Sequence, residues 1–319
     1  MLYLSRDSTV SLTSRKYLER KIDVAPTPKT PAGRYRILSS SAVVRMPPLC
    51  LGFLSFGTAW AGILGSVDEQ GTFNPLDAFG DAGELGIFLG NWIKARGNRD
   101  LMLIATKFTN NYRMRDLGKG KTINYSGNNN KSLFLSVEAS KRQLQTHYID
   151  LLYELIDSPH ILVKKVRILY LGASDTPAWV MSAANVYTQA HSKTPFSVYQ
   201  GRQNVMVRSF QRDIIPMAHQ FSMALVPSYV LGGGKLQTEK QIEDRKQAGE
   251  GLRAMRGPDQ TEDGPKASNA LNEYPTIHAA CVMRKTRIIP LIGGRKVEHL
   301  HDNIKALDIG LSHELVKHI

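Results

Sequence analysis

A chain of 319 residues with 42% hydrophobic and 22% charged residues has the composition of a globular protein large enough for one barrel or two smaller domains. Its net charge of +13 is unusual, but nine Lys and Arg against three acidic residues fall within the first fifty positions; the remainder lacks the basic stripe or finger spacing of a nucleic-acid reader. Two cysteines in apolar settings, Cys50 and Cys281, argue against a disulfide framework or zinc site and fit a reducing, cytoplasmic compartment, and no apolar run is long enough to span a membrane.

Residues 1–45, basic and carrying Ser and Pro, read as a disordered leader, and residues 46–319 as the folded domain. Leu49 to Gly57 reads as a first strand closed by glycine. Phe73 to Ala82 is compatible with a helix, Gly83 to Gly90 is a short apolar piece, and Asn91 to Arg96 resumes as helix before the buried strand Leu101 to Lys107. A helix over Ser132 to Thr146 feeds a strand over Tyr148 to Tyr153. Ile168 to Ser174 is another strand, and Thr176-Pro177 opens the helix after it. Phe196 to Gln200 and Met223 to Pro227 are strands flanking a helix over Arg212 to Phe221, and the second empties into Leu231-Gly232-Gly233-Gly234-Lys235. A charged, Gly-containing segment runs to about Lys266.

Strand and helix alternate, and the strands are continuously apolar, the pattern of a parallel sheet covered by helices. Seven or eight such units predict a (β/α)8 barrel, with polar residues at strand C-terminal ends lining one mouth. Lys107, Ser174, Gln200 and the turns at Gly232 and Arg295 fall on such ends.

The last unit carries the strongest chemical signal. The apolar run Ile288 to Ile292 reaches Gly293-Gly294 and passes into a helical pattern marked by Val297, Leu300, Ile304 and Leu307. Arg295 and Lys296 sit where the helix dipole and unpaired N–H groups favour anions. A phosphate set between the helix start and two cationic side chains resolves that conflict, with the glycines letting the backbone come close. His299 and Asn303 share a face with Lys296 and are placed to meet a ring attached to that phosphate. The alternative is a solvated basic helix start with glycines serving only the turn. Other signals are weaker. Gly120-Lys121-Thr122 lacks the first glycine of a phosphate loop, and His299 and His301 point apart on a helix, so no metal site is expected.

Several stretches carry a resemblance to a known family: Gly118-Lys119-Gly120-Lys121, Leu169 to Trp179, Pro195 to Arg202, Asp213 to Ala218, Val230 to Lys235 and Gly293 to Asn303. From about Pro31 onward the chain resembles the aldo-keto reductase superfamily, and within it the fungal aryl-alcohol dehydrogenase and norsolorinic acid reductase group. The resemblance implies an NADP-dependent carbonyl or alcohol oxidoreductase on a (β/α)8 barrel, acting on a small aromatic or polyketide- or terpenoid-like molecule in fungal secondary metabolism, with a homo-oligomer as an option. It implies that Ser174, Asp175 and Gln200 hold the nicotinamide carboxamide. The turn Ser228, Tyr229, Val230, Leu231, Gly232, Gly233, Gly234, Lys235 would cover the pyrophosphate. Gly293, Gly294, Arg295, Lys296, His299 and Asn303 would take the 2′-phosphate and adenine.

In that family a tyrosine donates a proton to the developing alkoxide, assisted by a lysine, an aspartate and an orienting histidine. Lys107 matches the lysine. The segment expected to hold the aspartate and tyrosine is missing after Ala82-Gly83, a loss of about a dozen residues, or one strand with its loop. Tyr153-Glu154-Leu155 stands where a Tyr-Val-His is expected, and Tyr112 imitates the catalytic context but follows the wrong strand. Ser228 replaces a tryptophan that stacks on the nicotinamide, with Tyr229 one position off as its substitute. A further shortening lies at Ala270 to His278. The resemblance therefore leaves three readings open: a reductase, an NADP-binding protein without turnover, and a chain that cannot complete its barrel.

Overall fold

The computed structural model describes residues 27–52, 86–109, 119–153, 159–165, 167–234, 287–294 and 296–310, with isolated positions elsewhere. Its centre is a parallel sheet of five strands in sequence order: β4 (Ala105–Lys107), β5 (Ile149–Tyr153), β6 (Ile168–Ser174), β7 (Phe196–Arg202) and β8 (Ala224–Ser228). Beyond β8 the backbone of Leu225 exchanges hydrogen bonds with Arg287 and Ile289, just ahead of β9 (Leu291–Ile292), and β9 pairs in parallel with β3 (Cys50–Leu51). Seven staves thus follow one another in barrel order. Among the described residues the outer edges of β4 and β3 have no strand partner, so the expected (β/α)8 barrel is incomplete there. The chain between those two staves runs through residues 53–85, outside the described residues, and includes the place after Gly83 where a strand is expected to be missing.

Helix α1 (Gly86–Arg96) lies over that seam. Leu89, Trp92 and Ile93 are buried with Leu51 of β3 and Ile104 just ahead of β4. The sequence pattern divides this region at Gly90, yet one helix runs through, because the glycine faces a neighbouring helix rather than a turn. A Cβ at Gly90 would overlap the carbonyl oxygen of Gln143. That carbonyl ends α2 (Asn130–Gln143), whose N-cap Asn129 accepts from the Ser132 N–H at 2.9 Å.

The remaining α-helices among the described residues are α3 (Pro159–Lys164), α4 (Ala178–Ala190), α5 (Ile214–Gln220) and α6 (Val297–Lys305). Helix α4 buries Ala178, Met181, Asn185 and Thr188, a helical spacing. Its Asn185 amide clamps the start of β7, accepting from the Phe196 N–H at 2.9 Å and donating to its carbonyl at 3.4 Å.

One irregularity decides which residues of β7 reach the mouth. Leu171 pairs with Phe196, but Gly172 pairs with Val198, so Ser197 is an extra residue in β7. Phe196 and Tyr199 therefore both face the outer helices, while Val198 faces the barrel interior. Alternation then turns Gln200 and Arg202 inward.

The floor is closed by a hairpin of β1 (Arg36–Ile37) and β2 (Arg45–Met46). Leu38, Ala42 and Met46 are buried against Leu151, Val198 and Val226, and Ser41 shares a hydrogen bond of 2.9 Å with Ser197. This hairpin lies within the stretch read as leader, so the folded body reaches ahead of residue 46; its short apolar positions plug the barrel instead of forming a periodic run. Residues 1–26 lie outside the described residues. Two further boundaries shift inward for physical reasons: the predicted strand from Leu101 pairs only from Ala105, because Arg99–Leu101 forms a helical turn, and Arg212 gives way to Asp213 as the cap of α5.

Candidate functional site

The C-terminal ends of β4 to β7 bring five side chains to one mouth: Lys107, Tyr153, Ser174, Gln200 and Arg202. Lys107 and Tyr153 are register partners, as are Ser174 and Gln200. The Lys107 Nζ passes 5.4 Å from the centroid of the Tyr153 ring and donates to Ser174 Oγ at 3.0 Å. Gly172 makes this possible, since a Cβ there would press on the Tyr153 ring at 2.8 Å. Ser174 Oγ in turn donates to Asp175 Oδ2 at 3.4 Å.

Asp175 turns the chain sharply, with a φ of 51°, a conformation aspartate tolerates better than most residues. Its N–H is held by the carbonyl of Gln200 at 2.9 Å, and the Tyr199 hydroxyl donates to the Thr176 carbonyl at 2.6 Å from the outer face. Burial pushes the Tyr199 phenol up to about 12, with nearby Asp175 adding to the shift. The Ser174–Thr176 turn is thus pinned from both sides. Tyr199→Phe is expected to cost about 1 kcal/mol of stability, the worth of one hydrogen bond, and to weaken whatever Ser174 and Asp175 hold; urea denaturation measures the first effect.

Gln200 is only 6% exposed, and among the described residues its Oε1 has no hydrogen-bond partner. A buried acceptor left without a donor costs about 1–3 kcal/mol, which a ligand N–H facing it would remove. The mouth therefore asks for a donor at that point, and a primary carboxamide such as that of nicotinamide supplies one.

The turn after β8 holds the second group of expected residues. Tyr229, Gly232 and Gly233 all have left-handed backbones, with φ of 62°, 64° and 69°. Gly232 donates to the Tyr229 carbonyl at 2.9 Å, closing the turn. Val230 is buried and contributes packing, so only its backbone faces a ligand. The Tyr229 ring, expected to face the nicotinamide, lies against the guanidinium of Arg202, 4.8 Å from it. Ser228 stands opposite Arg202 in register. Lys235 lies outside the described residues.

After β9, Gly293 is exposed and Gly294 buried, and a Cβ at Gly294 would press on His299 Cβ at 2.8 Å. Lys296 is the N-cap of α6, exposed and extended, so it flanks the helix start instead of lying inside the first turn; Glu298 is the charged residue within that turn. His299 and Asn303 are half-buried on α6. Arg295 lies outside the described residues, as does Tyr112. Among the described residues no group of three His, Cys, Asp or Glu could hold a metal ion, and no helix is long and apolar enough to cross a membrane.

Sequence reading passed over Tyr153, Arg202 and Asn204. The strand-end rule that picks out Lys107 and Gln200 also applies to Tyr153 at the end of β5 and, once the extra residue in β7 sets its facing, to Arg202. Asn204 is legible only in three dimensions. Its Oδ1 accepts from the N–H groups of Met206 and Val207, both at 2.8 Å, and its Nδ2 donates to the Tyr229 carbonyl at 3.2 Å. It ties the exit of β7 to the turn after β8.

Comparison with known proteins gives the family. A family model described as the aldo/keto reductase family matches residues 48–319. The chain is 47% identical to a putative aryl-alcohol dehydrogenase of Saccharomyces cerevisiae, over 92% of this chain and 88% of that relative. It is 45% identical to an aldo-keto reductase of Aspergillus calidoustus, over 92% and 83%. It is 41% identical to a norsolorinic acid reductase of Aspergillus flavus, over 93% and 83%.

Proposed function

The chain belongs to the aldo/keto reductase family, a family of oxidoreductases, and from that premise we propose that it binds NADP across the barrel mouth and acts on a small carbonyl or alcohol. The observation that carries this reading is the buried, unpartnered Oε1 of Gln200 level with Ser174, below the left-handed turn at Gly232 and Gly233. In this proposal Ser174, Asp175 and Gln200 orient the carboxamide, and the turn from Ser228 to Lys235 takes the pyrophosphate. Gly293, Gly294, Arg295, Lys296, His299 and Asn303 take the adenine end and the 2′-phosphate. Two relatives are named for an aryl alcohol and for norsolorinic acid; in this proposal the substrate is likewise a small aromatic, polyketide-like or terpenoid-like molecule of fungal secondary metabolism, met in the cytoplasm.

Bound NADPH supplies the hydride. What the chain supplies is placement and charge. Lys107 directs a positive charge over the mouth, where it favours a developing alkoxide. The family's tyrosine, aspartate and histidine have no counterparts in the sequence, so solvent delivers the proton. General acid catalysis contributes about a hundred- to ten-thousand-fold, and turnover is expected to be reduced by that order.

A second reading, a cofactor-binding protein without turnover, is favoured by one contact. The Lys107 ammonium donates to Ser174 Oγ and so to the cofactor pocket. One experiment separates the two. NADPH binding is followed by fluorescence, and NADPH oxidation is followed with an aromatic aldehyde. Binding with slow, aldehyde-dependent oxidation supports the reductase; binding with none leaves the second reading; absence of binding removes both.

A further inference from the structure

We propose that Arg202 is an additional cofactor residue, a cation planted on the turn after β8 to grip the diphosphate of the dinucleotide; this rests on the mouth being a dinucleotide site.

The placement follows from the strand. Val198 faces the interior and the extra residue Ser197 lies behind it, so Gln200 and Arg202 project to the same side. At about 3.3 Å per residue, Arg202 stands roughly 7 Å further out of the barrel than Gln200. Across the sheet its register partner is Ser228, where the Gly-containing turn begins. A group linked to the ring that Gln200 orients, and running outward toward that turn, passes beneath Arg202.

The charge is held in place but not neutralised. Its guanidinium carbon sits 4.8 Å from the centroid of the Tyr229 ring. The ring is backed by Gly233, where a Cβ would come within 2.5 Å of Tyr229 Cε2. Among the described residues Arg202 makes no hydrogen bond and no ion pair, and its Nε is sealed from solvent without a partner. The carboxylate of Asp175, at the end of the neighbouring strand, accepts from Ser174 instead. A stacked guanidinium is a five-donor fork that has lost most of its freedom, and its best complement is a bidentate oxyanion.

Two features make that oxyanion a diphosphate. Gly232 and Gly233, successive left-handed residues, form the turn on which the guanidinium is planted, and such turns present backbone N–H groups to phosphate oxygens. The residue that carries the pedestal, Tyr229, is itself left-handed, a conformation that costs a residue with a side chain about 1–2 kcal/mol. The strain is retained at the one position from which a ring supports both Arg202 and the turn.

The test uses the full-length protein with Arg202→Met, which keeps the stem and removes the charge. Dissociation constants are measured for NADPH, for NADH and for adenosine 2′-monophosphate, which lacks the diphosphate. The expected result is a loss of about tenfold or more for NADPH and NADH alike, with adenosine 2′-monophosphate unchanged and thermal unfolding as in the parent. Arg202→Lys should restore part of the loss, and Tyr229→Leu should produce a smaller loss of the same kind. If Arg202→Met does not fold, those two variants decide: Arg202→Lys binding both dinucleotides as tightly as the parent, and Tyr229→Leu likewise, overturns the assignment. Unchanged dinucleotide affinity in Arg202→Met also overturns it, including the case where only the KM of a carboxylate-bearing substrate rises. A parent protein that binds adenosine 2′-monophosphate but neither dinucleotide overturns the diphosphate grip, whereas a parent that binds none of the three overturns the dinucleotide site itself.

Discussion

Arg99→Met is expected to destabilise the protein by about 3–5 kcal/mol, the cost of breaking a buried ion pair by removing one partner. Arg99 joins three segments at the floor of β4 and β5. Its Nε donates to Thr146 Oγ1 at 3.0 Å, its Nη1 to the Met102 carbonyl at 3.2 Å, and its Nη2 to the Tyr148 carbonyl at 3.0 Å and Asp150 Oδ2 at 2.8 Å. The guanidinium also lies 3.9 Å from the centroid of the Tyr148 ring. Asp150, whose side chain is 10% exposed, accepts from the Ile104 N–H at 3.0 Å and so holds the approach to β4. Methionine fills much of the volume but leaves a buried carboxylate facing one N–H.

The pH dependence of that loss has a definite sign. Burial raises the Asp150 carboxyl above its ordinary value, and the Arg99 charge opposes the rise. Without Arg99 the folded-state value climbs further above the unfolded one, so the folded protein binds the proton more tightly. Stability is then present at low pH and lost as pH rises through the raised value. Urea denaturation at pH 7 and pH 5 should show the gap between variant and parent narrowing at pH 5. A gap below about 1 kcal/mol at pH 7 would mean that Arg99 is an ordinary surface cation.

Gly90→Ala is the second large effect. The added methyl meets backbone on the neighbouring helix, at the Gln143 carbonyl and the Leu144 main chain, and backbone at the end of a capped helix does not give way as a side chain would. Overpacking of this kind costs about 1–3 kcal/mol or more. Here it also lifts α1 from the seam between β3 and β4, where Leu89, Trp92 and Ile93 cover Leu51 and Ile104. The variant should therefore bind a dye for exposed apolar surface before it unfolds globally, while the parent does not. Dye binding and unfolding that match the parent would show that α1 is not what covers the open side.

The contrast between these positions and the mouth shows what a sequence carries. Strand ends were legible because burial on both faces makes each stave a continuous apolar run, and a polar residue at its end stands out; Lys107, Ser174 and Gln200 were found that way. The glycine turns after β8 and β9 were legible because a close backbone approach requires them. Arg202 stayed hidden because its facing depends on register, and one extra residue at Ser197 reverses the alternation along β7; Tyr153 did because an aromatic at the end of an apolar run does not stand out from it. Arg99 and Asn204 act through backbone carbonyls and amides distant in sequence, and no local pattern marks a side chain whose partners are main chain. The floor hairpin escaped because two-residue strands have no period to detect.

Selection of a phosphorylated dinucleotide by the mouth is measured directly by equilibrium binding of NADPH and NADH to the parent and to the Arg295→Ala, Lys296→Ala double variant. The parent should prefer NADPH, and the double variant should bind the two alike, with its NADPH affinity down about a hundredfold, as expected for the loss of two charge-assisted contacts. An unchanged preference for NADPH in the double variant, or equal affinities in the parent, would contradict it.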